Sequence, residues 1–406
     1  MTSDLSSVHA PRRTWLAAAS HEGLRLFFPL AAFHAALWPL LWVMLWKFDL
    51  PFSGGAVPAH WHAHEMIVGS YGAALIGFLT SALPEWTDTP RLHGRPLILL
   101  AFLWSVGRIS GLLGAPAMIP IGALADQAWF AFLIAYLIFL SWRRRTTGLT
   151  GFIAFLAVLA AAGGMLRFSL FQNDFDLGER AVWMATLAFL GLLGLALARI
   201  TVPVTNLILD PSEATSPFRP HPGRVNLAPG LVGLLLAAYL CGATETVRGY
   251  LMLAAGAAFL DRVADGFVGR ETARIEIAAL WISSGLAGIG LLFGGLSWIG
   301  LPFSLIGCLH LMLMGGLGIG ILAVFSIAGL LHTSRPLIFS PRTKLAFLFM
   351  LVAIFLRTFP EFFPDVLPSS VPHGVTAAFW TGSLMLWLAA YLPLLWSPKT
   401  LDGQSC

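Results

Sequence analysis

Residues 60–65 read HWHAHE: His60, His62 and His64 with Glu65 beside them, and an almost uncharged run follows. Neutral imidazole nitrogens bind iron, copper and zinc. Two histidines two apart in an extended turn, or four apart in a helix, point the same way and offer two nitrogens to one ion. In that company Glu65 either fixes a histidine tautomer or carries protons. The plain alternative is an interfacial polar belt, since Trp and other amphipathic side chains collect at headgroup depth. A second stretch, HLMLMGGLGIGILAVFSIAGLLHTSRPL, starts at His310 and reaches His332. At about 1.5 Å per helical residue these two histidines stand roughly 33 Å apart, about one bilayer, so they cannot share a metal. His310 belongs with the outer histidines, and His332 with Arg335 at the opposite face. His34 falls nearer the inner half and is open between packing and function.

The elements that position these residues follow from the solvent. The chain has 406 residues, 57% hydrophobic and 11% charged, against roughly 25% charged in soluble domains. One soluble core cannot hide that much apolar surface. Segments of the roughly 20 apolar residues that a spanning helix needs recur from end to end. The expected fold is therefore an all-α polytopic membrane protein. Its twelve transmembrane helices fall at 26–46, 63–83, 97–114, 119–141, 151–171, 181–200, 228–245, 247–260, 275–296, 303–331, 345–359 and 373–396, the eighth being short. No signal-peptide cleavage pattern precedes the first, which reads as a retained helix. The domain plan is a cytoplasmic segment 1–25, one membrane domain 26–396 and a cytoplasmic tail 397–406.

Charge orients these helices. Of the 24 Lys and Arg residues, 18 fall in the N-terminus, the even-numbered connections and the tail, and four in the odd-numbered connections; Arg108 and Arg167 lie within helices. Such a bias places both termini inside. The formal charge of +4 thus reads as a topology signal, with the lipid bilayer as partner and no nucleic acid. Cys241 and Cys308 sit in apolar segments and Cys406 ends the chain, which leaves no CxxC site and no expected structural disulfide. The inner loop 199–227 is Pro-rich and expected to be partly irregular.

A weak repeat runs through the helices. Helix 2 begins HEM and is followed on the inner side by HGRPL at 93–97. Helix 10 begins HLM and is followed by HTSRPL at 332–337, and helix 6 by HPGR at 221–224. The spacing is four helices each time, which resembles the three four-helix arcs of haem–copper oxidases, whose haem histidines lie on helices 2 and 10. The glycines of helices 2 and 10 follow no strand and so form no nucleotide loop. They allow close helix packing or leave room for a flat macrocycle.

The chain resembles the NnrS family. WHAHEM at 61–66 with its glycine-rich helix carries the resemblance most specifically. The stretch 310–337 matches a second motif with both histidines at the family's spacing, and LRLFF at 24–28 and ARITVPVTN at 198–206 match more loosely. Leu311, Ile327 and the PEW at 84–86 depart from the family's usual Ala, Arg and PNW, which bears more on the inner-face chemistry than on the outer cluster. The resemblance implies haem b and copper, a nitric oxide response tied to denitrification, and a bacterial inner membrane. Its implied ligands are His62, His64, His310 and His332. On this reading His64 and His310 are the axial pair or ligands of adjacent metals. His60, His62 and Glu65 then serve a second metal or a proton path, with Glu65 as the last donor. Arg108 pairs a haem propionate or an acid such as Glu245. Reducing nitric oxide would draw on an external electron donor (quinol or cytochrome), because no CxxCH is present. A haem-based sensor or scavenger, and a copper or metabolite transporter, are the alternatives.

Overall fold

Backbone groups in hydrocarbon have no water to bond, so each apolar segment satisfies them internally as a helix. The computed structural model describes residues 14–47, 58–113, 117–366 and 373–401, and these contain helices and no strand. Arg12, Arg13, Cys406 and the tail beyond Leu401 lie outside the described residues. After a single turn at Trp15–Ala19 the long helices are α1 (Gly23–Lys47), α2 (Ala59–Trp86), α3 (Arg95–Leu113), α4 (Met118–Arg144), α5 (Thr150–Gln172) and α6 (Phe175–Leu209). They continue as α7 (Leu227–Leu240), α8 (Glu245–Asp261), α9 (Ile275–Trp298), α10 (Leu305–Leu331), α11 (Pro341–Phe362) and α12 (His373–Leu395). Among the described residues eleven spans are long and apolar enough to cross a membrane, counting the stretch Pro222–Leu240 for α7; of the twelve helices the 17-residue α8 falls short. The protein is a multi-pass membrane protein.

Short polar side chains set several starts. Asp174, Thr244, Ser304 and Ser340 each accept a backbone N–H from the first turn of α6, α8, α10 and α11. The largest difference from expectation is α6, which runs 35 residues through Pro203. Its C-terminal end is held where Asn206 brackets Phe218, donating to the carbonyl at 3.1 Å and accepting from the N–H at 2.8 Å. That bracket ties down the Pro-rich loop, which is irregular from Pro211 to His221.

Helices adjacent in sequence pack on one another from α3 to α12, and α12 closes against α1. Three helices are more enclosed than the rest: the most apolar stretches of α2, α6 and α10 are 83%, 78% and 72% buried. They meet at Tyr71, whose hydroxyl donates to the Leu313 carbonyl at 2.8 Å and whose ring lies edge-on to Phe189. The four-helix spacing of the sequence repeat is thus the spacing of the three innermost helices.

Candidate functional site

Both motif histidines sit at the same kind of junction. α2 is α-helical over Pro58–His64 and π-helical over Glu65–Tyr71; α10 is α-helical over Leu305–His310 and π-helical over Leu311–Gly318. A π turn inserts a residue, re-aims the side chains beside it, and recurs at functional sites. The HEM and HLM segments therefore share a backbone as well as letters.

Because Pro58–His64 is helical, His60 and His62 point to nearly opposite sides, and no extended turn aligns them. His60 is buried against the Phe175 ring and Gly178 of α6. His64 faces α4 and His62 faces α1 and the α10–α11 side. His62 thus turns away from His60 and His64, which stand four apart on one helix face, where His60 packs on α6 and His64 on carboxylates of α2 and α4. Among the described residues no group of three or more His, Cys, Asp or Glu side chains is arranged to hold a metal ion.

His64 and Glu65 open a buried ionic network across α1 to α5. His64 Nδ1 lies 2.9 Å from Glu65 Oε1, and its Nε2 lies 3.4 Å from Asp126 Oδ2. Arg108 donates to Glu65 Oε2 at 3.0 Å and to Asp126 Oδ1 at 2.5 Å. Arg167 closes on Asp126 Oδ2 from Nε at 2.9 Å and Nη2 at 2.7 Å, and gives Nη2 to the Gly107 carbonyl as well. His34 reaches Ser70 Oγ through Nδ1 at 2.8 Å and stands 3.4 Å from Glu65 Oε2 through Nε2. Every one of these side chains is buried, Glu65 and His64 completely. Two carboxylates and two guanidiniums cancel, which makes a dry site tolerable. Ser70, His34, Glu65, His64 and Asp126 then form an alternating chain of imidazole and carboxylate, a chemistry suited to holding or passing a proton.

Gly69 makes this approach possible: a Cβ there would stand 2.6 Å from His34 Cε1 and 2.8 Å from Arg108 Nη1. A Cβ on Gly107 would stand 2.4 Å from Asp126 Oδ1. Around α10 the glycines serve helix packing, with Gly316 against Ala287 and Gly318 against Trp380.

Several expectations change here. Arg108 pairs Glu65 and Asp126, while Glu245 faces Arg248. His34 belongs to the network of Glu65 rather than to the inner half. Asp126 and the role of Arg167 were missed in the sequence, although lone charges inside apolar helices are a signal for such sites.

His62 on α2 and His310 on α10 lie toward the same side of the bundle, where Arg357 and His373 also stand. His62 stacks on Trp42, and its Nδ1 is buried with no hydrogen-bond partner. His310 Nδ1 lies 2.8 Å from the Ile306 carbonyl. That bond makes Nδ1 the donor and leaves the Nε2 lone pair available. Arg357 is itself paired with Glu361 at 2.7 Å.

His332 lies at the other end of the bundle, in a second network. Its Nδ1 is 2.8 Å from Glu22 Oε2 and its Nε2 is 3.5 Å from Glu85 Oε1. Arg91 bridges Glu22 and Glu85. Arg25 bonds Glu22 at 2.8 Å, the His332 carbonyl at 2.7 Å and the Leu395 carbonyl at 3.0 Å. Burial alone would push the Glu22 carboxyl up, but His332 and Arg25 outweigh it and hold it at about 2. His332 is thus a clamp among α1, α2, α10 and α12, and Glu85, the acid of PEW, is one of its members.

Comparison with known proteins gives one match. The family model described as NnrS protein matches residues 18–399, and the chain belongs to that family. No curated protein and no solved structure matches it.

Proposed function

From its place in the NnrS family and from the unspent imidazole nitrogens of His62 and His310, we propose that this chain is a haem-containing protein of the bacterial inner membrane that acts on nitric oxide, most simply by reducing it. The observation that carries the reading is that His62 and His310, on different helices and toward the same side of the bundle, each keep a ring nitrogen unspent. Those two imidazoles would hold the iron of a b-type haem, and one of them would have to give way for the ferrous iron to bind a diatomic. His64 fits the axial role less well, because both its nitrogens face carboxylates. His60 stands apart, so copper at His60 draws no support from the geometry.

Converting two nitric oxide molecules to nitrous oxide and water takes two electrons and two protons. Electrons come from an external quinol or cytochrome. In the chain's own residues, the His34–Glu65–His64 run holds protons beside α2, with Arg108 keeping Glu65 in place. The same closed pairing favours the sensor or scavenger as second reading, since neither needs proton delivery. The test is the spectrum and metal content of the purified protein. Iron with a haem spectrum that shifts on nitric oxide, and that is lost in His62→Ala and in His310→Ala, supports the site. Steady nitric oxide consumption with an artificial donor separates reductase from sensor.

The same reading includes twelve spans with both termini inside, in three arcs. The inner clamp supports the count by parity. Arg25, Glu85, His332 and Leu395 bring the start of α1 and the ends of α2, α10 and α12 to one face. Between the ends of α2 and α10 an even number of crossings is required, which α3 to α10 supply only if α8 crosses. At about 1.5 Å per residue, 17 residues reach about 26 Å, near the hydrocarbon thickness. The deep burial of α2, α6 and α10 supports the arcs.

A further inference from the structure

Along the axis between the three innermost helices lies a row of voids. One of about 150 Å³ opens at the inner face, where Glu85, Arg199 and His332 stand in its wall. The next, of about 60 Å³, lies deeper between α1, α2, α6 and α10 and shares Phe28, Phe78 and Val324 with the first. A third, of about 20 Å³, shares Tyr71, Ile321 and Phe325 with the second and has Ser70 in its wall. Ser70 is the residue that bonds His34. The row therefore runs from the inner clamp to the edge of the buried network.

The lining of the middle void is apolar except for the Tyr71 hydroxyl, which is already given to the Leu313 carbonyl. A water needs two to four polar partners, and apolar cavities stay dry. One water-sized molecule takes roughly 10–15 Å³ of such space, so about 60 Å³ accommodates a few atoms and no macrocycle. We propose that this row is a binding path for a small apolar gas, running between the inner interface and the His34–Glu65 network. That the gas is nitric oxide or its product nitrous oxide rests on the proposed function; that the path takes an apolar diatomic-sized guest does not.

Xenon is the probe, because it needs neither haem nor turnover. Crystals of the full chain under xenon pressure should show xenon in the middle void. Ala74→Leu, which places a side chain into that void from α2, should abolish it. Should Ala74→Leu not fold, Leu192→Ala in the same wall should raise xenon occupancy instead. Ordered water in the void, no xenon in the wild type, or xenon unchanged in the variants would each overturn the proposal. Xenon in the void with no haem in the protein would leave the path standing and remove the proposed chemistry.

Discussion

Asp126→Asn removes one charge from the buried network and little volume. Asp126 is 1% exposed and accepts from Arg108, Arg167 and the Trp129 indole. The asparagine leaves two guanidiniums with one carboxylate, Glu65, in a buried site. Breaking a buried ion pair from one side costs about 3–5 kcal/mol. With unfolding entropy of about 2.1 cal/mol/K per residue, 406 residues give an expected fall in Tm of about 5 °C. Arg167→Met alone should cost a similar amount, because Asp126 then keeps only Arg108. The double variant restores neutrality, with Glu65 and Arg108 as the remaining pair. It should recover at least half of the summed loss, a coupling of about 3 kcal/mol or more. Thermal unfolding of the four proteins in one detergent at pH 7 measures the cycle. Strict additivity, with the double variant as unstable as the two losses combined, would refute a charge-balanced network.

Other expectations follow from neighbouring geometry. Gly69→Ala drives a Cβ into His34 and Arg108 and should cost about 1–3 kcal/mol, read as a lower Tm with the same helix content. The Glu22 carboxyl is held at about 2 against an ordinary 4.5, so its stabilisation is present above pH 4.5 and is lost as pH falls toward 2. The shift corresponds to about 3 kcal/mol at about 1.4 kcal/mol per unit; Glu22→Gln should be less stable than the wild type at pH 6, with the difference shrinking to about a quarter by pH 2.5. Glu65→Gln should bind nitric oxide with an unchanged spectrum and consume it several-fold more slowly; equal consumption would remove the proton role.

The sequence carried the membrane class, the helix positions and the family, because apolar runs and motif spacing are local signals. The eleven long helices lie close to the expected spans, apart from α6, whose passage through Pro203 the local pattern argued against. What the pattern could not carry was direction. The π segments after His64 and His310 depend on tertiary packing, and they decide which way each imidazole turns. Asp126 and Arg167 lie on separate helices 41 residues apart, so no motif joins them; only their isolation inside apolar runs marked them. The clamp at His332 was hidden likewise, since Glu22, Glu85 and Arg91 look like ordinary interfacial charges until the helix ends converge.

The central claim is that His62 and His310, from α2 and α10, hold haem where nitric oxide is met. The direct measurement is the optical spectrum of the reduced, purified protein before and after nitric oxide, taken on the wild type, His62→Ala, His310→Ala and His332→Ala. The account predicts a haem spectrum that shifts with nitric oxide in the wild type and in His332→Ala, and its loss in the two outer variants. Full haem in both outer variants, or loss only in His332→Ala, would contradict it.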